Sequence, residues 1–464
     1  MRLMSSTPTS PGAPGAREGS LEAPTRHPLE WRDPKFYDRA SLEQELERVF
    51  DICHGCRRCF SLCNAFPTLF DAVDEAPGGE LAGVDKKAYW EVVDHCYLCD
   101  MCFMTKCPYV PPHPWNVDFP HLMLRAKALR ARDGGLTISE RVLAATDTVG
   151  AIAGIPVVVE LVNAVNASAA GRALLEKTLG VDRTAPLPKY HARTARSRLI
   201  ALGTTDEPAR HGASEAQPTA ETTGRVALFT TCYGNRNAPT LDEDLVAVFT
   251  HNGIEVRLLP SERCCGMPRL ELGDLEGVAR LKDHNIPQLA QAVAAGFDIV
   301  APIPSCVLMF KQELPLMYPG DPEVLKVAER MFDPFEYLML RHRAGLLRTD
   351  FSRSLGKVSY HVPCHLRVQN IGLKTRDLLK LVPGTTVDTI ERCSGHNGTY
   401  GVKRRFRAES LRIGRPVMQR VENAHGDHYA SDCPMAAQQI ASGLAAPRAP
   451  EHPLRLLRLA YGLT

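Results

Sequence analysis

The run CHGCRRCFSLC, Cys53 to Cys63, places four cysteines within eleven positions, and a second run, CYLCDMCFMTKCP, adds Cys96, Cys99, Cys102 and Cys107. A chain with this spacing has to fold its N-terminal part around whatever the thiols hold. Cys53, Cys56, Cys59 and Cys63 follow C-x2-C-x2-C-x3-C. Three thiolates at intervals of three can wrap one iron–sulfur cube from a single loop, while the fourth turns away to serve a second cube. The expected sets are therefore Cys53, Cys56, Cys59 with Cys107, and Cys96, Cys99, Cys102 with Cys63. The second run departs in having four residues between Cys102 and Cys107, and the first in having Asn64 where proline is usual; neither removes a ligand. A pair of zinc sites is the competing reading of C-x2-C. Two complete four-cysteine runs without interposed histidine pairs favour iron–sulfur. Arg57 and Arg58 lie between ligands, where their charge either offsets an anionic cluster or faces solvent.

The rest of the composition limits the partners. At 464 residues the chain exceeds one ordinary core, and 44% hydrophobic with 23% charged residues is the make-up of a globular protein. Fifty-five Lys and Arg against 53 Asp and Glu leave a formal charge of +2, so no global field gathers nucleic acid. Residues 1–40 open on a Pro/Gly/Ser-rich stretch without the apolar run of an export signal. A disordered tail and a cytoplasmic location, where clustered thiols stay reduced, are the expectations. The apolar stretch 142–165 is broken by Asp147, Pro156 and Glu160, so it falls short of a spanning helix. It reads as a buried helical hairpin, with peripheral membrane contact as the alternative.

Helical patterning leads into both cysteine runs: SLEQELERVFDIC before the first and AYWEVVDHC before the second. The expected organisation is a helical two-cluster, ferredoxin-like domain over 41–130, a helical connection over 131–202 and a polar linker over 203–224. Beyond it, short β-branched runs alternate with helical ones, the pattern of an α/β domain with a parallel sheet, and the order then repeats. Corresponding cysteines are offset by 132 (Cys232 to Cys364), 129 (Cys264 to Cys393) and 127 (Cys306 to Cys433), which marks a duplicated unit over 225–350 and 351–464. Each of these sites follows a predicted strand, where open α/β sheets bind ligands. The fold class is thus α+β and multidomain, with the α/β unit duplicated.

The first repeat carries RCCGMP with Cys232, Cys264, Cys265 and Cys306; the second carries RCSGHNG with Cys364, Cys393 and Cys433. Here the chain resembles the CCG domains of heterodisulfide reductase catalytic subunits. Its order, two ferredoxin-type clusters and then two such domains, looks like that of the iron–sulfur subunits of anaerobic glycerol-3-phosphate dehydrogenase, of glycolate oxidase and of lactate oxidation. The resemblance implies two [4Fe-4S] clusters in the N-terminal part and a further iron–sulfur or zinc site in the repeats. Those domains use Cys, then CCG, then C-x-x-C, whereas Met309 stands at the last position of the first repeat and Ser394 and Ala436 replace two cysteines of the second. A thioether or methyl group does not replace a thiolate on iron. His365 or His396 could complete a zinc site with Cys364, Cys393 and Cys433.

The function so implied is an electron-transfer subunit of an oxidoreductase, passing electrons between a redox partner protein, such as a flavoprotein dehydrogenase, and a quinone, thiol or disulfide acceptor. GAIAG (150–154) lacks the glycine spacing of a dinucleotide site, so a flavin or nicotinamide belongs on another chain. The alternative is a redox or iron sensor whose clusters control partner binding.

Overall fold

A computed structural model describes residues 24–204 and 217–463. They form two compact units, Met1–Ala126 and Lys127–Thr464.

The first unit is helical. Asp38 accepts the Ser41 N–H at 3.1 Å and so caps α1 (Arg39–Cys56), which starts slightly earlier than Ser41 suggests. Leu42, Leu46, Val49 and Phe50 line one face of α1 at helical spacing and are buried. Opposite them stand α2 (Ala65–Asp74) and α3 (Lys86–His95), followed by the short α4 (Met101–Thr105) and the start of α5 (Phe119–Arg132). Rings knit these helices together: Phe50 meets Tyr89 at 5.1 Å and Phe66 meets Phe119 at 4.7 Å.

The expected tail over 1–40 is too long. Residues 1–23 lie outside the described residues, but Leu29 and Trp31 are buried and Arg26 forms the main ionic contact of this unit. Its guanidinium bonds Asp100 through two nitrogens at 2.7 and 3.0 Å, and Asp118 at 2.8 and 3.1 Å. Paired carboxylates hold the fork of an arginine more strongly than any single acceptor.

In the second unit, α6 (Ile138–Ala144), α7 (Thr146–Ala153), α8 (Val158–Ala167), α9 (Ala169–Leu179) and α10 (Ala195–Ala201) precede the sheets. The first sheet consists of β1 (Arg225–Leu228), β2 (Glu255–Leu258), β3 (Asp298–Val300) and β4 (Met331–Phe332), all parallel in the order β2-β1-β3-β4. The second consists of β5 (Lys357–His361), β6 (Thr386–Ile390) and β7 (His428–Ser431), parallel in the order β6-β5-β7. The same order in both sheets is the duplication in three dimensions. Val226, Ala227 and Leu228 are buried on both faces of β1, as a parallel sheet covered by helices demands.

At the end of the linker over 203–224, just before β1 begins at Arg225, Thr223 donates its N–H to Asp298 at 2.7 Å and Gly224 donates to the Tyr337 hydroxyl at 3.0 Å. The linker's stretch 205–216 lies outside the described residues. One expectation needs correction here: the stretch 142–165 is not a buried hairpin. α7 and α8 bend by 107° around Gly154, Ile155, Pro156 and Val157, and Ile152, Ile155, Val157 and Leu161 point outward. No single helix among the described residues is long and apolar enough to cross a membrane.

The Arg26 contact yields a stability prediction. Burial alone would raise the Asp118 carboxyl, but the charges of His121 and Arg26 outweigh it and hold it at about 2. A carboxylate depressed in the folded state stabilises above its unfolded pKa and loses that contribution as pH falls toward its folded one. Arg26→Ala should cost about 3 kcal/mol at pH 7, because two largely buried carboxylates lose their partner, and the difference should shrink as pH falls from about 4 to 2. Urea unfolding across pH checks both; an unchanged midpoint at pH 7 refutes the assignment.

Candidate metal centres

The N-terminal cysteines come together from both runs. Cys53 and Cys56 lie in the last turn of α1, and Arg57 closes that helix in the left-handed conformation (φ 54°), donating its N–H to Cys53 O at 2.8 Å. The turn sends Cys59 back toward them. Cys53, Cys56, Cys59 and Cys107 line a single cavity walled by Phe66, Phe70 and Val117, with Arg58 at its side. Burial, and then the charge of Cys107, push the Cys53 thiol well above its ordinary value; burial and Cys107 bring Cys59 to about 12, against the opposing charges of Lys106 and Arg58.

The second run wraps as tightly. Leu98 and Asp100 both adopt positive φ (52° and 58°), turning the chain between Cys96 and Cys102, and Arg26 holds Asp100 there. Cys102 is buried, and Cys59, Cys96 and Cys63 are the thiols whose charges act on it. Cys59 and Cys63 of the first run thus both lie within electrostatic reach of Cys102, while Cys107 of the second run lines the cavity of the first. Cys99 lies in the same loop and is half-buried.

The neighbouring polar residues have other tasks. Arg57 bonds Asp74 and reaches His54 Nδ1 at 3.0 Å. Asn64 Nδ2 approaches the His95 ring at 3.2 Å and Thr68 Oγ1 at 3.4 Å, tying the start of α2 to the end of α3. Of the two arginines between ligands, Arg58 is the one beside the thiols.

In the second unit, every cysteine loop leaves the C-terminal end of a strand. Thr231 precedes Cys232 with φ 55° and ψ 156°, a region nearly confined to glycine, and its hydroxyl accepts the Gly234 N–H at 2.9 Å. Gly266 closes the CCG turn at φ 104°. The Cys232 and Cys264 sulfurs are 3.9 Å apart, and Cys265 bridges Cys264 to Cys306, so the four thiols form a chain. The Cys232 thiol lies against Cys264, and hydrogen bonding from Cys232 and then Cys265 lowers the Cys264 thiol well below its ordinary value, against the effect of burial.

Three further residues support the site. Asp147, at the start of α7, accepts the Cys264 N–H at 2.9 Å. Buried Asn285 accepts the Arg263 N–H at 2.9 Å and donates to the carbonyls of Arg263 and Cys264 at 3.2 and 3.1 Å, fixing the loop. Met309, where a fifth cysteine would stand, places its methyl 3.7 Å from the Cβ position of Gly266 and opens a π-helical turn, Met309–Glu313. Asp147, as a charge interrupting an apolar stretch, and Met309, in place of a cysteine, offered sequence signals; Asn285 offered none.

The thiols of the second repeat have local and cross-repeat partners. Cys393 Sγ accepts the Gly395 N–H at 3.4 Å and an Asn397 N–H at 3.7 Å within its own turn. Burial raises Cys433 to about 11, and Cys306 of the first repeat is the thiol acting on it. His365, next to Cys364, bonds Ser305 Oγ at 2.8 Å, beside Cys306. His396 is half-buried with its Nε2 enclosed and unpaired, and burial holds it near 4, hence neutral. Among the described residues, no group of three or more His, Cys, Asp or Glu side chains surrounds a point that a single metal ion could fill.

Comparison with known proteins agrees with the duplication. Residues 226–311 and 358–440 each match the cysteine-rich domain family CCG. A component of the anaerobic glycerol-3-phosphate dehydrogenase of Escherichia coli is 29% identical over 327 residues, 69% of this chain and 76% of its own. Lactate utilization protein A of Exiguobacterium is 30% identical over 38% of this chain and 74% of its own, and a component of the fumarate reductase (CoM/CoB) of Methanothermobacter marburgensis is 26% identical over 47% and 42%.

Asp242 supplies a pH test of this site's support. It is fully buried, neither carboxyl oxygen has a hydrogen-bond partner, and it packs on Gly234, whose Cβ position is 2.9 Å from Oδ2. Burial, and then the charges of Glu262 and Glu243, push its carboxyl well above the usual range. A carboxyl raised in the folded state binds its proton more tightly there, so stability falls as pH rises above the unfolded value. Asp242→Asn should match the parent near pH 4 and exceed it increasingly toward pH 7, by up to about 1.4 kcal/mol per pH unit until the folded pKa is reached. A pH-independent difference in urea unfolding would remove the neutral carboxyl.

Proposed function

The chain belongs to the cysteine-rich CCG-domain family, and on that premise we propose that it is the iron–sulfur electron-transfer subunit of a cytoplasmic oxidoreductase complex. It carries two [4Fe-4S] clusters on Cys53, Cys56, Cys59, Cys107 and on Cys96, Cys99, Cys102, Cys63, and a further iron–sulfur or zinc site on Cys232, Cys264, Cys265 and Cys306. The observation that carries the reading is the shared cavity of Cys53, Cys56, Cys59 and Cys107, which joins one thiol of the second run to three of the first. Four thiols around a cavity, rather than around a point at about 2.3 Å, suit a cluster of several irons better than a lone zinc ion. Bound clusters supply one-electron storage; the chain supplies their ligands, separation and charge environment.

The chain's own residues match that task. Burial and mutual repulsion raise the Cys53, Cys59 and Cys107 thiols, so metal binding releases protons and reverses the electrostatics of the cavity. Cys59 neighbours Cys102, which brings the two thiol sets together for electron passage. Arg58 and Lys106 lie on the Cys59 side, where positive charge favours the reduced, more anionic state. The electron donor is a partner redox protein, such as a flavoprotein dehydrogenase, and the acceptor is a quinone, thiol or disulfide.

Anaerobic purification with iron and sulfide quantitation and low-temperature EPR tests this directly. Cys107→Ser should abolish the signal of the cluster on Cys53, Cys56 and Cys59, Cys63→Ser that of the other, each with loss of about half the N-terminal iron. If each variant instead loses the cluster of its own run, the crossed ligation is wrong.

The repeats are proposed to be unequal. Cys265→Ser should strip metal or redox activity from the second unit, whereas Cys393→Ser, whose sulfur is engaged in its own turn, should leave both within about twofold of the parent. Equal losses would overturn the asymmetry.

A further inference from the structure

We propose that the apex between α7 and α8 is a docking surface for an anionic lipid bilayer, into whose interface it inserts without spanning. Four large apolar side chains within ten residues are exposed there: Ile152 at 57%, Ile155 at 49%, Val157 at 84% and Leu161 at 65%. Isolated exposed apolar residues are ordinary, but a cluster of this kind marks an interaction site. The 107° bend fixes the mode of contact. Helices of eight and ten residues are roughly 12 and 15 Å long, well under the ~30 Å of a hydrocarbon core, so the apex can enter one leaflet only.

Backbone strain and charge point the same way. Val157 caps α8 at φ 74° and ψ −46°, a conformation that β-branched residues avoid, and at 84% exposure no packing within the described residues compensates for it. The cations stand on the segment clasped to α8. Asn163 donates to Tyr190 O and accepts the Tyr190 N–H, both at 2.9 Å, and the His191 carbonyl is 3.5 Å from the Cβ position of Gly154. Lys189 and Arg193, which flank this clasp, are both exposed. An apolar apex with adjoining cations is complementary to anionic headgroups above acyl chains. Glu160 is exposed as well, but it lies about 100° around α8 from Leu161, at the rim of the patch.

Docking here would have a consequence for the redox reading, on which this last step rests. α7 begins at Thr146 and Asp147, which touch Cys264, and ends at the apex, so the first-repeat thiols stand one short helix, roughly 12 Å, from the bilayer surface. A lipid-soluble acceptor such as a quinone could then meet that centre from the membrane.

Co-sedimentation of the full chain with vesicles tests the surface independently of electron transfer. The parent chain should bind phosphatidylcholine vesicles containing phosphatidylglycerol and bind pure phosphatidylcholine more weakly. Ile155→Ser with Val157→Ser should weaken binding at least about tenfold, while Lys189→Ala with Arg193→Ala should lower it several-fold and remove most of its salt dependence. Unfolding midpoints and iron content should stay at parental values, so a lost cluster is not mistaken for lost docking. Absence of vesicle binding by the parent, undiminished binding by the apolar variant, or a dimer that this variant turns into a monomer would each overturn the proposal; the last would assign the patch to a second copy.

Discussion

Parallel strand pairing is the constraint on which the second unit depends. Cys232, Cys264 and Cys306 are separated by 32 and 42 residues, yet β1, β2 and β3 point the same way, so the loops that follow them emerge at one edge of the sheet. An antiparallel neighbour would carry its cysteine to the opposite edge. β5, β6 and β7 repeat the arrangement. Parallel sheets must be covered on both faces, and the strands accordingly have only three to five residues outside the marginal β4, with helices filling the intervals. Such strands position loops well and contribute little else.

Electrostatics distinguishes the two kinds of thiol centre. In the N-terminal sets, burial and then mutual repulsion raise the Cys53 and Cys102 thiols, an environment that a guest bringing positive charge would relieve. In the first repeat, hydrogen bonding from Cys232 and then Cys265 lowers the Cys264 thiol against the effect of burial. Gly266, free to adopt φ 104°, turns the chain after the cysteine pair, and Asn285 fixes the carbonyls behind it.

What the sequence disclosed and withheld follows from contact range. α1, the alternation of strands and helices and the duplicated cysteines depend on local pattern and were legible. The extent of the tail was not, because Arg26 finds its partners 74 and 92 residues away. Asp147 was visible only as a charge that spoils a membrane span; its partner, the Cys264 N–H, lies 117 residues further on. The apolar stretch 142–165 misled for a different reason. Composition counts apolar residues but not the side they face, and here only small or inward residues such as Gly150, Ala153 and Val159 are buried.

The second repeat shows how a duplicated domain can lose ligands without becoming dispensable. Ser394 and Ala436 are buried at the positions where the domain pattern has cysteines, and Cys393 is satisfied by its own turn. Several of its side chains reach the first copy. His365 bonds Ser305, Gln369 donates to the Pro304 carbonyl at 3.1 Å, and Gln438 donates to the Tyr233 hydroxyl at 3.0 Å, so all three grip residues adjoining Cys306 or Cys232. Glu271, raised by burial to about 7, presses its carboxyl against Gly398, a position where any Cβ would collide. A copy that walls its neighbour's thiols is held in place by packing and hydrogen bonding, requirements that do not depend on the cysteine positions that Ser394 and Ala436 occupy.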